Sequence, residues 1–121
     1  MGQQNHVHII RRYWETIEAR DWKRAWFALH PRFRATWPVT KESFDRATFM
    51  RINEEYPAPN WHIKIERVNV VDDGVVSVVC VTDGPQWFYC TSFFLFEGEQ
   101  VIAVTEYWAD GAEAPAWRNG K

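Results

Sequence analysis

Glu106 is the carboxylate whose neighbours make it unusual. It interrupts an apolar stretch between Val104 and Trp108. A carboxylate buried in such a stretch is expensive unless it is paired or protonated. Two readings follow: a structural group tied to an arginine or a tyrosine hydroxyl, or an acid or base in a pocket. Tyr13 supplies a hydroxyl that is either a satisfied core group or a pocket donor. Asp83 is a third candidate, although it precedes Gly84-Pro85, where turn chemistry suits it equally. His62, Lys64 and Glu66 alternate as on the solvated side of a strand, and His30 before Pro31 reads as a loop residue. His6 and His8 are two apart at a helix start and do not share a helix face. No His, Cys or Asp cluster has ligand spacing, so no metal is expected. Cys80 and Cys90 fall on neighbouring strands, offset if a two-residue turn at Gly84-Pro85 pairs Cys80 with Tyr89. They read as reduced, buried hydrophobes.

The elements that must position these groups come in two blocks. Ile10, Tyr13, Trp14 and Ile17 recur at helical spacing and predict a helix over 5–20, with Asn5 as N-cap. Asp21 is expected to cap a second helix over 22–29, ended by His30-Pro31. Residues 33–37 read as a short strand stopped by Pro38. Thr40 to Ser43 offers capping chemistry for a third helix over about 43–54 that carries Phe44, Phe49, Met50 and Ile52. The stretch Tyr56-Pro57-Ala58-Pro59-Asn60 is a rigid break. Four segments rich in Val, Ile, Phe, Trp, Tyr and Thr follow at 61–71, 75–83, 86–96 and 100–109. The short glycine-containing breaks between them predict antiparallel hairpins. The tail, 110–121, is expected to pack irregularly. Helices first and a strand meander second is an α+β pattern, here a single domain over 1–121.

The last three strands are apolar at both parities. Val75, Val79 and Val81 fall on one face of the second segment, and Val76, Val78 and Cys80 on the other. The third segment divides into Phe88, Cys90, Phe94, Phe96 and Trp87, Tyr89, Phe93, Leu95. A sheet with one wet face would alternate apolar with polar. Three helices cover only one face, and a twofold partner supplies the other cover most simply. A homodimer through the sheet is the expected assembly.

Composition narrows the function classes. The chain has 121 residues, net charge -2 and 46% hydrophobic residues, including eight Trp and eight Phe. The basic footprint of a nucleic-acid binder is absent. No apolar run approaches the ~18 residues of a membrane span. The polar start, Met1 to His8, is not a signal peptide, so a cytoplasmic protein is expected. So much aromatic surface must line a core, a pocket or an interface.

Arg12-Tyr13-Trp14 with Ile17-Glu18-Ala19-Arg20-Asp21-Trp22, and Thr105-Glu106-Tyr107-Trp108 followed by Asp110, resemble the opening helix and last strand of the nuclear-transport-factor-2-like superfamily, in its SnoaL-like branch. The resemblance covers nearly the whole chain. It implies three helices packed on a strongly curved, mainly antiparallel sheet, forming a cone. Ketosteroid isomerase, polyketide cyclases and limonene epoxide hydrolase share that fold. In a gapless comparison with ketosteroid isomerase, Tyr13 keeps the oxyanion tyrosine. The base position falls on Trp37, whose Pro38 matches the family's following proline, and the acidic oxyanion donor falls near Ser92. Indole nitrogen only donates, so that isomerase's proton transfer is not implied. In limonene epoxide hydrolase the last-strand aspartate corresponds to Glu106, while the bridging arginine falls on Val81, before Asp83.

The resemblance thus implies a cone-shaped cavity. A three-residue loop Glu97-Gly98-Glu99 would set Ser92 opposite Val104 and put Ser92 and Glu106 on one side, whereas a two-residue loop would separate them. With the first register, Asp83, Phe88, Ser92, Val104, Glu106 and Trp108 line the cone, closed by Tyr13, Trp26, Trp37 and Met50. The expected function is binding of a small hydrophobic ligand without a cofactor. The alternatives are an isomerase, cyclase or hydrolase using Glu106 as acid and base with Tyr13 and Asp83, or a pure dimerisation module.

Overall fold

A computed structural model describes residues 2–58 and 60–119; Pro59 of the expected break and the last two residues of the expected tail lie outside them. The helices are α1 (Gly2–Glu18), α2 (Trp22–Ala28) and α3 (Arg46–Glu54). The strands are β1 (Leu29–Trp37), β2 (Glu42–Asp45), β3 (His62–Val71), β4 (Gly74–Asp83), β5 (Gln86–Glu97) and β6 (Gln100–Asp110), and a 3-10 turn spans Ala116–Asn119. All six strands form one sheet in the order β2-β1-β6-β5-β4-β3. Its pairs are antiparallel except β1 with β6. This is the expected α+β architecture, with the helices packed on one face of a mainly antiparallel sheet.

The apolar stripe of α1 is what docks it. Ile10, Tyr13, Trp14 and Ile17 are all buried, each complete burial contributing about 1.5–3 kcal/mol. The helix stops where Arg20 takes a φ of 59°, a left-handed conformation that cannot continue it. Asn5 is not the N-cap. It lies inside α1, and its amide donates to Glu99 at 2.9 Å. Asp21 does cap α2, accepting from the Arg24 N–H.

Two elements differ from the sequence reading. The strand expected at 33–37 begins at Leu29 and contains Pro31. Its register with β6 shifts between Leu29 and Arg34, so no regular ladder bond is asked of the proline, which has no N–H to give. Residues 42–45, expected to open the third helix, form β2 instead. They pair back on residues 34–37 through a turn in which Lys41 takes a φ of 61°. Phe44 therefore packs edge-on against Trp37, 4.8 Å between ring centres. The helix cap moves to Asp45, which accepts from the Thr48 N–H at 2.9 Å.

The sheet face against the helices carries Val75, Val79, Val81, Cys90, Phe94 and Val104, all buried. On the opposite face Trp87, Tyr89, Phe93, Leu95 and Tyr107 are all large and exposed. The two-sided apolar pattern is real. Among the described residues no helix is long and apolar enough to cross a membrane.

Candidate functional site

The site is built on one register detail. Glu97 pairs with Gln100, leaving a two-residue turn, Gly98-Glu99, with Gly98 at a φ of 62°. That turn alone would put Ser92 and Glu106 on opposite faces. A bulge restores them. Val101 pairs with Phe96 and Ala103 with Leu95, so Ile102 is the extra residue, and beyond it Ser92 stands directly opposite Glu106. The expected sharing of a face therefore holds, but the expected Ser92–Val104 pairing does not. Val104 pairs with Phe94.

Glu106 is 2% exposed. Its two oxygens are held by neutral donors. Trp37 Nε1–H donates to Oε1 at 3.0 Å, and the Ser92 hydroxyl donates to Oε2 at 2.7 Å. Cys90 Sγ lies 3.3 Å from Ser92 Oγ. With the serine proton committed to the carboxylate, the thiol is the donor in that contact. Burial raises the Glu106 pKa, and the bonds from Ser92 and Trp37 pull it partly back. Burial also pushes the Cys90 thiol well up, helped by the Glu106 charge, so it stays protonated. No cation pairs with Glu106 in the described structure, and its partners are an indole and a hydroxyl.

Glu106 lies at the wall of a cavity of about 410 Å³. The sheet contributes Val81, Phe88 and Trp108 beside it, and Trp37 closes one side. Helix α1 supplies Trp14 and Ile17, and α3 supplies Ile52 and Asn53. The mouth is formed by Val39, Thr40 and Glu42, by Tyr56 and by Asp110. The rings interlock edge to face: Trp37 lies 6.0 Å from Trp108, Phe88 5.2 Å from Trp108, and Tyr56 6.0 Å from Phe88. Trp108 Nε1 is buried without a hydrogen-bond partner. Burial and the nearby Asp83 and Asp110 carboxylates raise the Tyr56 pKa. Among the described residues no lysine, arginine or histidine lines the cavity, and no group of three metal-ligating side chains occurs.

Four of the residues singled out from the sequence line this cavity: Trp37, Phe88, Glu106 and Trp108. Ser92 stands behind them as the donor to Glu106. Tyr13 does not reach the wall. It is buried on α1, edge-on to Phe94 at 6.1 Å, and burial, with the Glu106 charge, raises its pKa well above the usual value. The donor expected of Tyr13 is instead provided by Trp37 and Ser92. Asp83 sits at the end of β4 outside the lining. Trp26 faces elsewhere, its ring stacked under Arg46 at 3.7 Å. Met50 and Val104 are core residues, because the α3 turn that reaches the cavity carries Ile52 and Asn53. Tyr56 and Trp61 were not anticipated. They lie in and just after a break without periodicity, so no pattern marked them.

The likenesses found are structural. A candidate ketosteroid isomerase from Kribbella flavida superposes with a TM-score of 0.84 at 26% identity, covering 99% of this chain and 89% of that one. A nuclear-transport-factor-2-like protein of unknown function from Burkholderia xenovorans gives 0.84 at 17% identity, over 99% and 94%. A candidate SnoaL-like polyketide cyclase from Jannaschia gives 0.75 at 18% identity, over 88% and 87%. No protein-family model and no curated protein matches the sequence. The fold is the nuclear-transport-factor-2-like cone that the sequence resemblance implied.

Proposed function

We propose that this chain is a small-molecule-binding cone protein that takes a hydrophobic, oxygenated ligand into the aromatic cavity and works as a homodimer. The observation that carries the reading is the cavity itself. At about 410 Å³ it is ligand-sized rather than filled by its own tryptophans. Its few polar groups converge in the way binding sites require. Trp108 lacks an acceptor, and a ligand oxygen against that ring edge would supply one. Glu106 is held in a fixed orientation by Trp37 and Ser92. The cone-fold proteins likened to this chain include a candidate ketosteroid isomerase and a candidate polyketide cyclase, and a small-molecule site in this chain is consistent with them.

The raised Glu106 pKa favours a second reading, in which the ligand is a substrate and Glu106 moves a proton without a cofactor. Trp37 and Ser92 then act as positioning residues. Neither Tyr13 nor Asp83 is among the residues that line the cavity.

The dimer reading rests on the outer sheet face, where Trp87, Tyr89, Phe93, Leu95 and Tyr107 are exposed side by side. A contiguous patch of this kind marks an interface more than a scatter of single apolar residues does. One patch facing its own copy is the geometry of a twofold dimer. Calorimetric titration with neutral naphthalenemethanol tests the binding reading: one saturable site per chain supports it, and no saturable heat at millimolar ligand rejects it.

A further inference from the structure

The cavity has a sign. Its wall is mostly aromatic and aliphatic, and among the described residues every ordinarily charged side chain along it is acidic: Glu42, Glu106 and Asp110. Glu42 and Asp110 are exposed at the mouth, whereas Glu106 is inside. Tyr56 also lines the mouth, where burial first, and then the Asp83 and Asp110 charges, raise its pKa. The nearby cations are outside the wall. Arg20 is committed, donating to the Trp61 carbonyl at 2.6 Å and lying 3.4 Å over the Trp61 ring. Lys41 is exposed in the turn just before Glu42. Among the described residues indole faces already take cations three times, at Trp61, Trp26 and Trp117.

We infer that the ligand is an organic cation, an apolar amine that carries an oxygen for the Trp108 N–H and is held as its ammonium ion, seated among Trp37, Tyr56, Phe88 and Trp108 with Glu106, Glu42 and Asp110 supplying the countercharge. The inference rests on the binding reading above and adds the charge of the ligand to it. Aromatic rings attract cations through their quadrupole, and alkylammonium ions are a recurring guest of aromatic cages. A carboxylate ligand would meet the same faces with the wrong sign and would be repelled by three acids. An apolar amine also keeps its hydrocarbon part against Ile52, Ile63 and Val81.

Three probes of matched shape separate the two claims: naphthylmethylamine, naphthalenemethanol and naphthoate, titrated at neutral pH and low salt with indole fluorescence as readout. The amine is expected to bind about tenfold tighter than the alcohol, and naphthoate more weakly than both. In a Glu42→Gln, Asp110→Asn double variant, whose two changes lie at exposed positions, the gap between amine and alcohol should narrow several-fold. Naphthoate binding as tightly as the amine overturns the cationic ligand while leaving the cavity reading intact. So does a gap that survives the double variant unchanged. Failure of all three probes to bind overturns both readings together.

Discussion

Replacing Glu106 with Gln should leave the protein at least as stable as wild type at neutral pH, and should remove a pH dependence. The variant keeps the shape of the side chain, and its carbonyl oxygen still accepts from Trp37. Its amide donates to the Ser92 hydroxyl, which reorients to accept. No partner is left carrying an uncompensated charge, because neither donor to Glu106 is ionised. The sign follows from the raised pKa. Above its ordinary value of 4.5 the unfolded carboxyl loses its proton while the folded one retains it. Wild-type stability therefore falls as pH rises from there to the folded pKa, then levels. Each factor of ten in proton affinity between the two states corresponds to about 1.4 kcal/mol. The Gln variant lacks this loss, so its advantage should grow through the same window and then become constant. Urea unfolding of both proteins from acid to neutral pH measures the difference directly, and groups that do not feel the Glu106 charge cancel in the subtraction. If the Gln variant were instead about 3–5 kcal/mol less stable at neutral pH, the loss would be that of a broken buried ion pair, and the neutral-donor account would be wrong.

Ser77→Ala should lower stability by about 1–3 kcal/mol, the cost of a buried donor left unpaired, since Trp14 Nε1 donates to the Ser77 hydroxyl at 3.0 Å; the urea midpoint reads it. Gly74→Ala should cost about 1–3 kcal/mol by overpacking, because a Cβ there runs into the Phe94 carbonyl oxygen; an unchanged midpoint would mean the β4 start shifts freely. Light scattering of wild type at micromolar concentration should give a mass near twice 14.4 kDa, and Phe93→Lys should yield monomer or aggregate. A monomeric wild type removes the dimer reading.

The four long strands and two of the three helices were legible because their periodicity and glycine-containing turns agree with the tertiary structure. Cys80 does pair with Tyr89 as a two-residue turn requires. The third helix was misplaced at its start. Ser43 and Asp45 offer the same capping chemistry, and only the hairpin of residues 42–45 against β1 decides between them. The β6 bulge was illegible for a similar reason. Nothing about Ile102 marks it as the extra residue, yet it sets which side of the sheet Glu106 faces. Glu106 itself was found because a carboxylate among Val104 and Trp108 is costly anywhere. Its donors were not assigned from the sequence, since Trp37 and Ser92 are 69 and 14 residues away. Tyr13 shows the limit of carrying a role by resemblance: the position survives, but its ring is spent on Phe94 and the core.

The cavity claim is tested most directly by the indole N–H resonances of the eight tryptophans, followed by NMR during titration with neutral naphthalenemethanol. Trp37 and Trp108 bound the cavity, Trp87 lies on the outer sheet face, and Trp117 is 78% exposed in the C-terminal turn. The account predicts saturable shifts at Trp37 and Trp108, with Trp87 and Trp117 unmoved. Shifts confined to Trp87 or Trp117, or no saturable shift at any indole, would contradict it.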